Sequence, residues 1–264
     1  MTPAGLRLPA VTVGVDELDL LTQLARIDEL PVVLDARSRF DTTVARDAAF
    51  ESCRESLTER GLLPGGHPHP DVVDRLTILA RPDVELAVRW YREGTVSRMC
   101  IAQVGQMTVL ALRGPDSYVL AEVPAVEAEL VLDVIGRSVA LDVDSISAPT
   151  DRLVLALDDL THPQSVVRRL SELGARETET LAWALSTCTA HAEIVALVQG
   201  DGRRWTSAPV TVFDTAGGRI VGTSSVSPDG TAWSTLGPGG DARLRQAIGE
   251  LLTWAAAPHG AASS

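Results

Sequence analysis

Few side chains in this sequence stand at spacings that chemistry requires. His67-Pro-His69 is the one close histidine pair, and two imidazoles in a Pro-rich loop suggest zinc. No cysteine or carboxylate at ligand spacing accompanies them before Asp71, so a solvated loop is the simpler reading. Cys188, three residues before His191, suggests a thiol nucleophile beside a base. It falls at a helix end in mostly apolar company, where a small packed residue fits better. Asp142-x-Asp144 has the spacing to hold a divalent metal with a nucleotide sugar. Gly222-Thr-Ser-Ser-Val226 fails to complete the Gly-x-Ser-x-Gly elbow of a serine hydrolase, and its surroundings read strand–turn–strand. Gly237-Pro-Gly-Gly-Asp241 does precede a helix, but Pro238 and the acidic Asp241 oppose an anion there; Asp241 reads as an N-cap. His162 beside Pro163 and the Asp158-Asp159 pair read as helix-boundary residues. No catalytic set assembles, and no cofactor is expected.

Composition narrows the options further. All 23 basic residues are arginine, which removes Schiff-base and Walker-type lysine mechanisms and points to a GC-rich genome such as an actinobacterium's. A net charge of -12 argues against a phosphate-backbone partner, which needs a concentrated basic surface. The cysteines Cys53, Cys100 and Cys188 are odd in number and widely spaced, which suits a reducing compartment. Asp16, Glu17 and Asp19 stand where a signal peptide would need an apolar run, and no apolar run is long enough to span a bilayer. A cytoplasmic protein without membrane insertion is expected.

These residues must be positioned by recognisable elements. Val11–Val13 reads as a strand, Asp16–Leu24 as a short helix and Pro31–Leu34 as a second strand-like run. Asp41 is expected to cap a helix to Arg60 with Ala49, Phe50, Cys53 and Leu57 on one face, and a further helix follows over Asp71–Ala80. From Val84, apolar and charged residues alternate, and turns at Glu93-Gly94, Gly105 and Pro115-Asp116 divide strands that end at Val123. A helix over Ala125–Ile135 stops at Gly136. Helices are then expected over Asp151–Leu160, capped by Thr150, over Pro163–Leu173 and over Glu177–Thr187. A strand from Ala192 to Gln199 joins a meander of Trp205–Asp214, Arg219–Ser225 and Thr231–Leu236, punctuated by Ala216-Gly217-Gly218 and Pro228-Asp229-Gly230. A closing helix covers Asp241–Ala257.

Strands followed by a helix thus occur twice, between Val84 and Gly136 and again from Trp205. The layout predicts an α+β fold with a central antiparallel sheet, a quasi-two-fold repeat and flanking helical bundles. One domain over residues 1–264 is expected, with an N-terminal half of about 1–140 and a C-terminal half of about 141–264. Trp90, Trp233 and Trp254 are expected in the core, while Trp183 and Trp205 are candidates for exposed anchors.

Three ordered motifs carry a family likeness: Thr211-Val-Phe-Asp-Thr-Ala-Gly-Gly-Arg219, Ser227-Pro-Asp-Gly-Thr-Ala-Trp233 and Leu236-Gly-Pro-Gly-Gly-Asp-Ala-Arg-Leu244. With Leu79-Ala-Arg-Pro-Asp-Val-Glu-Leu-Ala-Val-Arg-Trp90, they resemble the EspG family over nearly the whole chain. That family comprises the cytosolic chaperones of type VII (ESX) secretion in mycobacteria and related actinobacteria. The resemblance implies a non-catalytic protein that binds the tip of the PPE subunit in a PE–PPE heterodimer and keeps it soluble. It implies a binding surface on the C-terminal strands and helical bundle. Here the candidates are Trp183, Arg203, Arg204, Trp205, Val210, Val212, Arg219 and Ile220, with the aliphatic residues covering a hydrophobic tip and the arginines at its rim. The chain is compact and strongly acidic for the family, so a PPE-like or other type VII substrate is equally in keeping. The competing expectations are a small-molecule-binding or enzymatic α+β protein using Asp142/Asp144 or His67/His69, and a structural component of a larger assembly.

Overall fold

A computed structural model describes residues 7–259. In chain order the elements are β1 (Val11–Gly14), α1 (Val15–Ala25), α2 (Thr43–Glu59), α3 (Pro70–Ala80), β2 (Val84–Arg92), β3 (Thr95–Val104), β4 (Met107–Arg113), β5 (Ser117–Val123) and α4 (Ala128–Ile135). They continue as β6 (Ile146–Pro149), α5 (Thr150–Leu157), α6 (Pro163–Glu172), α7 (Thr178–Ser186), β7 (Ala190–Gly200), β8 (Arg203–Thr206), β9 (Val210–Thr215), β10 (Gly218–Val226), β11 (Ala232–Pro238) and α8 (Asp241–Ala256). The fold is α+β, with a large antiparallel sheet and helices, as the alternation and short turns predict.

Several local expectations change for identifiable reasons. Val32–Leu34 forms a 3-10 turn instead of a strand, because Asp35 adopts a left-handed conformation directly after it. Thr42, not Asp41, caps α2; its hydroxyl accepts from the Ala45 amide at 3.2 Å. The run Trp205–Asp214 breaks into β8 and β9. Ser207 turns inward there, its hydroxyl accepting from the Ala196 amide at 3.0 Å, and Pro209 brings no ladder donor. The Thr150 hydroxyl lies 2.8 Å from that of Ser234 and does not cap α5. Asp241 sits inside α8, where its carboxylate accepts from the Ser138 amide at 3.0 Å, and Gly240 is the cap. Strand β6 was not anticipated.

The chain forms two compact units, and each draws on separated segments. The first gathers residues through Ala87, Ser97–Val126 and Val198–Arg203. Within it, β1 pairs β5, β5 pairs β4 and β4 pairs β3, all antiparallel. Register places Val11, Leu120, Ala111 and Cys100 in one row across the ladder, with Val13 and Tyr118 in the next. All are buried, and α3 packs on β4 and β5 with Val72, Leu76 and Leu79 turned inward. Two arginines tie the irregular segments down. The buried Arg75 guanidinium donates to the carbonyls of Pro9 (2.9 Å), Leu120 (3.1 Å) and Leu8. Arg113 donates to the Asp35 carboxylate at 2.8 Å and to the carbonyls of Leu34 and Asp35.

The second unit gathers Val88–Val96, Glu127–Leu197 and Arg204 onward. Its strands run β7-β9-β10-β11-β6, each neighbour antiparallel. One face carries Ile220, Leu236, Ile146 and Ala148, which are buried in a cluster with Leu153 and Ala156 of α5, Val166 and Leu170 of α6, and Leu181 and Leu185 of α7. The opposite face carries Val210, Val212 and Val221, all buried. Helix α8 lies on that side, where Arg243 donates to Thr223 at 3.2 Å.

At the centre of this unit stands Arg219, which is 1% exposed. It lies directly opposite Asp214 across the β9–β10 turn, and its guanidinium forks onto that carboxylate at 2.6 and 3.0 Å. The same guanidinium donates to the Gly136 carbonyl at 2.9 Å. The Arg219 backbone holds the linker after α4, donating to Val139 at 2.7 Å and accepting from Leu141 at 3.0 Å. It also accepts from Gly239 at 2.8 Å. A side chain at Gly239 would fall 2.6 Å from the backbone of Ile220 and Val221, and one at Gly218 would fall 2.6 Å from the Leu141 nitrogen. The glycines of both motifs are therefore steric requirements for this close approach.

Two predictions follow from these contacts. Arg219→Ala leaves Asp214 and the Gly136 carbonyl without their partner, and is expected to lower unfolding stability by about 3 kcal/mol, read as a reduced urea midpoint. In the acid range, Arg113 holds the Asp35 carboxyl below the ordinary carboxylate value. Arg245 and Arg137 do the same for Glu129. Depressed carboxyls add stability that is full above their unfolded pKa and lost as pH falls through the folded one. The midpoint is thus expected to drop below about pH 4, less steeply in an Asp35→Asn/Glu129→Gln double variant.

Candidate protein-binding surface

Helices α5, α6 and α7 are amphipathic and turn one stripe each into the cluster under the sheet. The run Leu153-Val-Leu-Ala-Leu157 carries more apolar residues than that stripe can use. Leu153 and Ala156 are buried, which leaves Val154 at 61% and Leu155 at 62% exposure on the outer side. On α7 the pair Leu181 and Leu185 faces inward and Trp183, between them in sequence, is 54% exposed. Aliphatic and aromatic side chains left open on α5 and α7, both of which pack on α6, are the kind of residue that another protein can cover. Each would contribute on the order of 2 kcal/mol when removed from water.

The residues expected to bind a partner divide clearly. Trp183, Arg203 and Arg204 are exposed and Trp205 is half-buried. Trp205 stacks on His259, ring centroids 5.7 Å apart, and His259 also packs on Trp254 at 4.5 Å. Val210, Val212, Arg219 and Ile220 are corrected: all four are buried at 3% exposure or less. Helices cover both faces of the sheet at β9 and the first half of β10, so Val210, Val212 and Ile220 do not meet solvent, and Arg219 is bound internally by Asp214. Trp90, Trp233 and Trp254, expected in the core, are each partly exposed, with Trp233 at 36%.

The residues with chemical potential are placed apart and are occupied structurally. His69 precedes α3, and its Nδ1 accepts from the Asp71 amide at 3.2 Å, while His67 is exposed in the preceding loop. Burial pushes the Cys188 thiol up, away from a thiolate, and it donates to the Ala190 carbonyl. The His191 ring stacks on Tyr91 at 4.3 Å. Asp142 and Asp144 are exposed in the linker, and among the described residues no group of three or more metal-ligating side chains converges. Asp159 accepts from Thr161 and His162, which hold its carboxyl below the usual range.

A family model described as the EspG family matches residues 14–250. The chain belongs to the EspG family. It is 27% identical to the ESX-1 secretion-associated protein EspG1 of Mycobacterium marinum over 256 residues, covering 92% of this chain and 87% of that one. To the EspG1 protein of Mycobacterium tuberculosis it is 27% identical, with 92% and 86% covered. To the ESX-3 secretion-associated protein EspG3 of Mycobacterium tuberculosis it is 24% identical, with 92% and 90% covered. Among solved structures, the Mycobacterium tuberculosis type VII secretion system chaperone EspG5, in complex with a PE25-PPE41 dimer, shares the fold. The TM-score is 0.75 at 18% identity, over 95% of this chain and 98% of that one.

Within this EspG-family chain, the motifs that carry the likeness occupy backbone-constrained places. They form the β9–β10 turn with Arg219, the β10–β11 turn, and the β11–α8 junction around Gly239. The exposed pair Val154 and Leu155 was missed in sequence. The signal lay in their position off the Leu153/Ala156 stripe. Substitution separates surface from core: Trp183→Ala is expected to change stability by less than about 0.5 kcal/mol, while Ile220→Asp unfolds the protein, both read by thermal circular dichroism.

Proposed function

We propose that this EspG-family protein is a cytoplasmic, non-catalytic chaperone of type VII secretion. It binds the exposed end of a PPE-like protein, paired with a PE-like partner, and keeps it soluble before export. The observation that carries this reading is the uncovered apolar side chains Val154, Leu155 and Trp183, on helices whose inward stripes pack into the cluster under the sheet. Family membership supports it, and so does the solved EspG5 relative, whose structure is a complex with a PE25-PPE41 dimer. Trp183 and Trp205 serve as aromatic anchors, and Arg203 and Arg204 form part of the polar rim. The whole chain, 1–264, acts as one functional domain. No helix among the described residues is long and apolar enough to cross a membrane.

A masking role needs no reacting group. It needs apolar area that is stable in water without its partner, and a net charge of -12 opposes self-association through such a surface. Co-expression with PE–PPE-like pairs from the same genome tests the reading. A cognate pair is expected to become soluble and to co-purify in fixed stoichiometry. A Trp183→Ala/Trp205→Ala variant is expected to weaken that complex by at least about tenfold, measured by calorimetry. If every pair stays insoluble and unbound, the chaperone assignment is wrong.

A further inference from the structure

Between α5 and α6 lies an open hollow of about 550 Å³ whose lining contrasts with the rest of the chain. Arg152, Arg168 and Arg169 surround it with Leu155 and Leu173, and Glu172 is its one carboxylate. The chain as a whole carries 35 acidic residues against 23 arginines, so this balance is locally inverted. Three guanidinium groups thus face one carboxylate in the lining of this hollow. Arg169 donates to the Leu155 carbonyl at 3.0 Å, which fixes one wall.

Helix stability does not account for this arrangement. Arg169 in the last turn of α6 suits the helix dipole, but Arg152 stands in the first turn of α5, where a cation is unfavourable. Arg168 is exposed beside Arg169 in the sequence, with Glu172 one helical turn on as the single carboxylate of the lining. The 62% exposed Leu155 adds an apolar floor that a simple anion leaves uncovered. An occupant that relieves all of these together carries carboxylates for the arginine forks and an aliphatic side chain between them.

We propose that the α5–α6 hollow seats an acidic, amphipathic peptide segment of a protein partner, with carboxylates on Arg152 and Arg168 and an aliphatic side chain against Leu155. This rests on the chaperone reading only for the identity of the protein that carries the segment. A nucleic acid is the poorer fit, because its phosphate backbone would face a strongly anionic chain.

The test compares the intact chain with an Arg152→Glu/Arg168→Glu variant. Both positions are exposed, and retained folding is checked by circular dichroism. A fluorescein-labelled peptide of glutamate and leucine is titrated by fluorescence anisotropy. A lysine–leucine counterpart and a single-stranded oligonucleotide are titrated alongside it. The acidic peptide is expected to bind the intact chain, to bind the variant at least about tenfold more weakly, and to weaken as salt rises. Absent binding, equal affinity for chain and variant, equal binding of the lysine peptide, or tighter binding of the oligonucleotide would each overturn the proposal. The variant is then mixed with a PE–PPE-like pair. Loss of that complex assigns the segment to the secretion substrate, whereas full retention removes that assignment and leaves the chaperone reading standing. An intact chain that takes the peptide but no PE–PPE-like pair supports the hollow and defeats the chaperone reading.

Discussion

The buried pairing of Arg219 with Asp214 is the contact on which the second unit is organised. It joins three segments far apart in the chain: the β9–β10 hairpin, the linker after α4, and the β11–α8 junction. A buried charge pair is a weak source of net stability, since desolvation offsets most of the attraction. What it supplies here is position. The fork fixes the arginine, the arginine backbone fixes the linker at Val139 and Leu141, and Gly239 fits only because it lacks a side chain. With those segments held, β6 can pair with β11 and present α5–α7 on one face, their outer residues uncovered.

That arrangement explains why a chain with so few chemical groups still has a defined surface. The histidines, cysteines and paired aspartates are consumed as caps, packed thiols and solvated linker residues, at separate places. By contrast, aliphatic and aromatic side chains stay open to solvent on α5 and α7, at Val154, Leu155 and Trp183. Rigid elements carrying open apolar side chains bind other polypeptides with little loss of conformational freedom on association.

Much of this was legible in the residues. The alternation from Val84 and the punctuation at Gly105 and Pro115-Asp116 define the strands from β2 to β5, and Met107–Arg113 and Ser117–Val123 end where the pattern ends. Other features were not. Ile146–Pro149 is too short for a period to register, and it becomes a strand only because β11 offers a partner. The burial of Val210, Val212 and Ile220 was hidden because alternation specifies two faces without saying that helices cover both. Arg219 reads as surface by type. Yet Asp214 and Arg219 flank the Thr-Ala-Gly-Gly turn symmetrically, and that spacing places opposite charges face to face across a tight hairpin.

Hydrogen exchange on the chain, alone and with a PE–PPE-like pair, tests the central claim most directly: a fixed hub presents a passive helical surface. The expected result is that the amides of Arg219, Leu141 and Gly239 exchange slowest in both states, with new protection confined to residues 150–186 and 203–206. Protection centred on His67–His69 or on Asp142–Asp144, or release of the Arg219 amides when the partner binds, would contradict it.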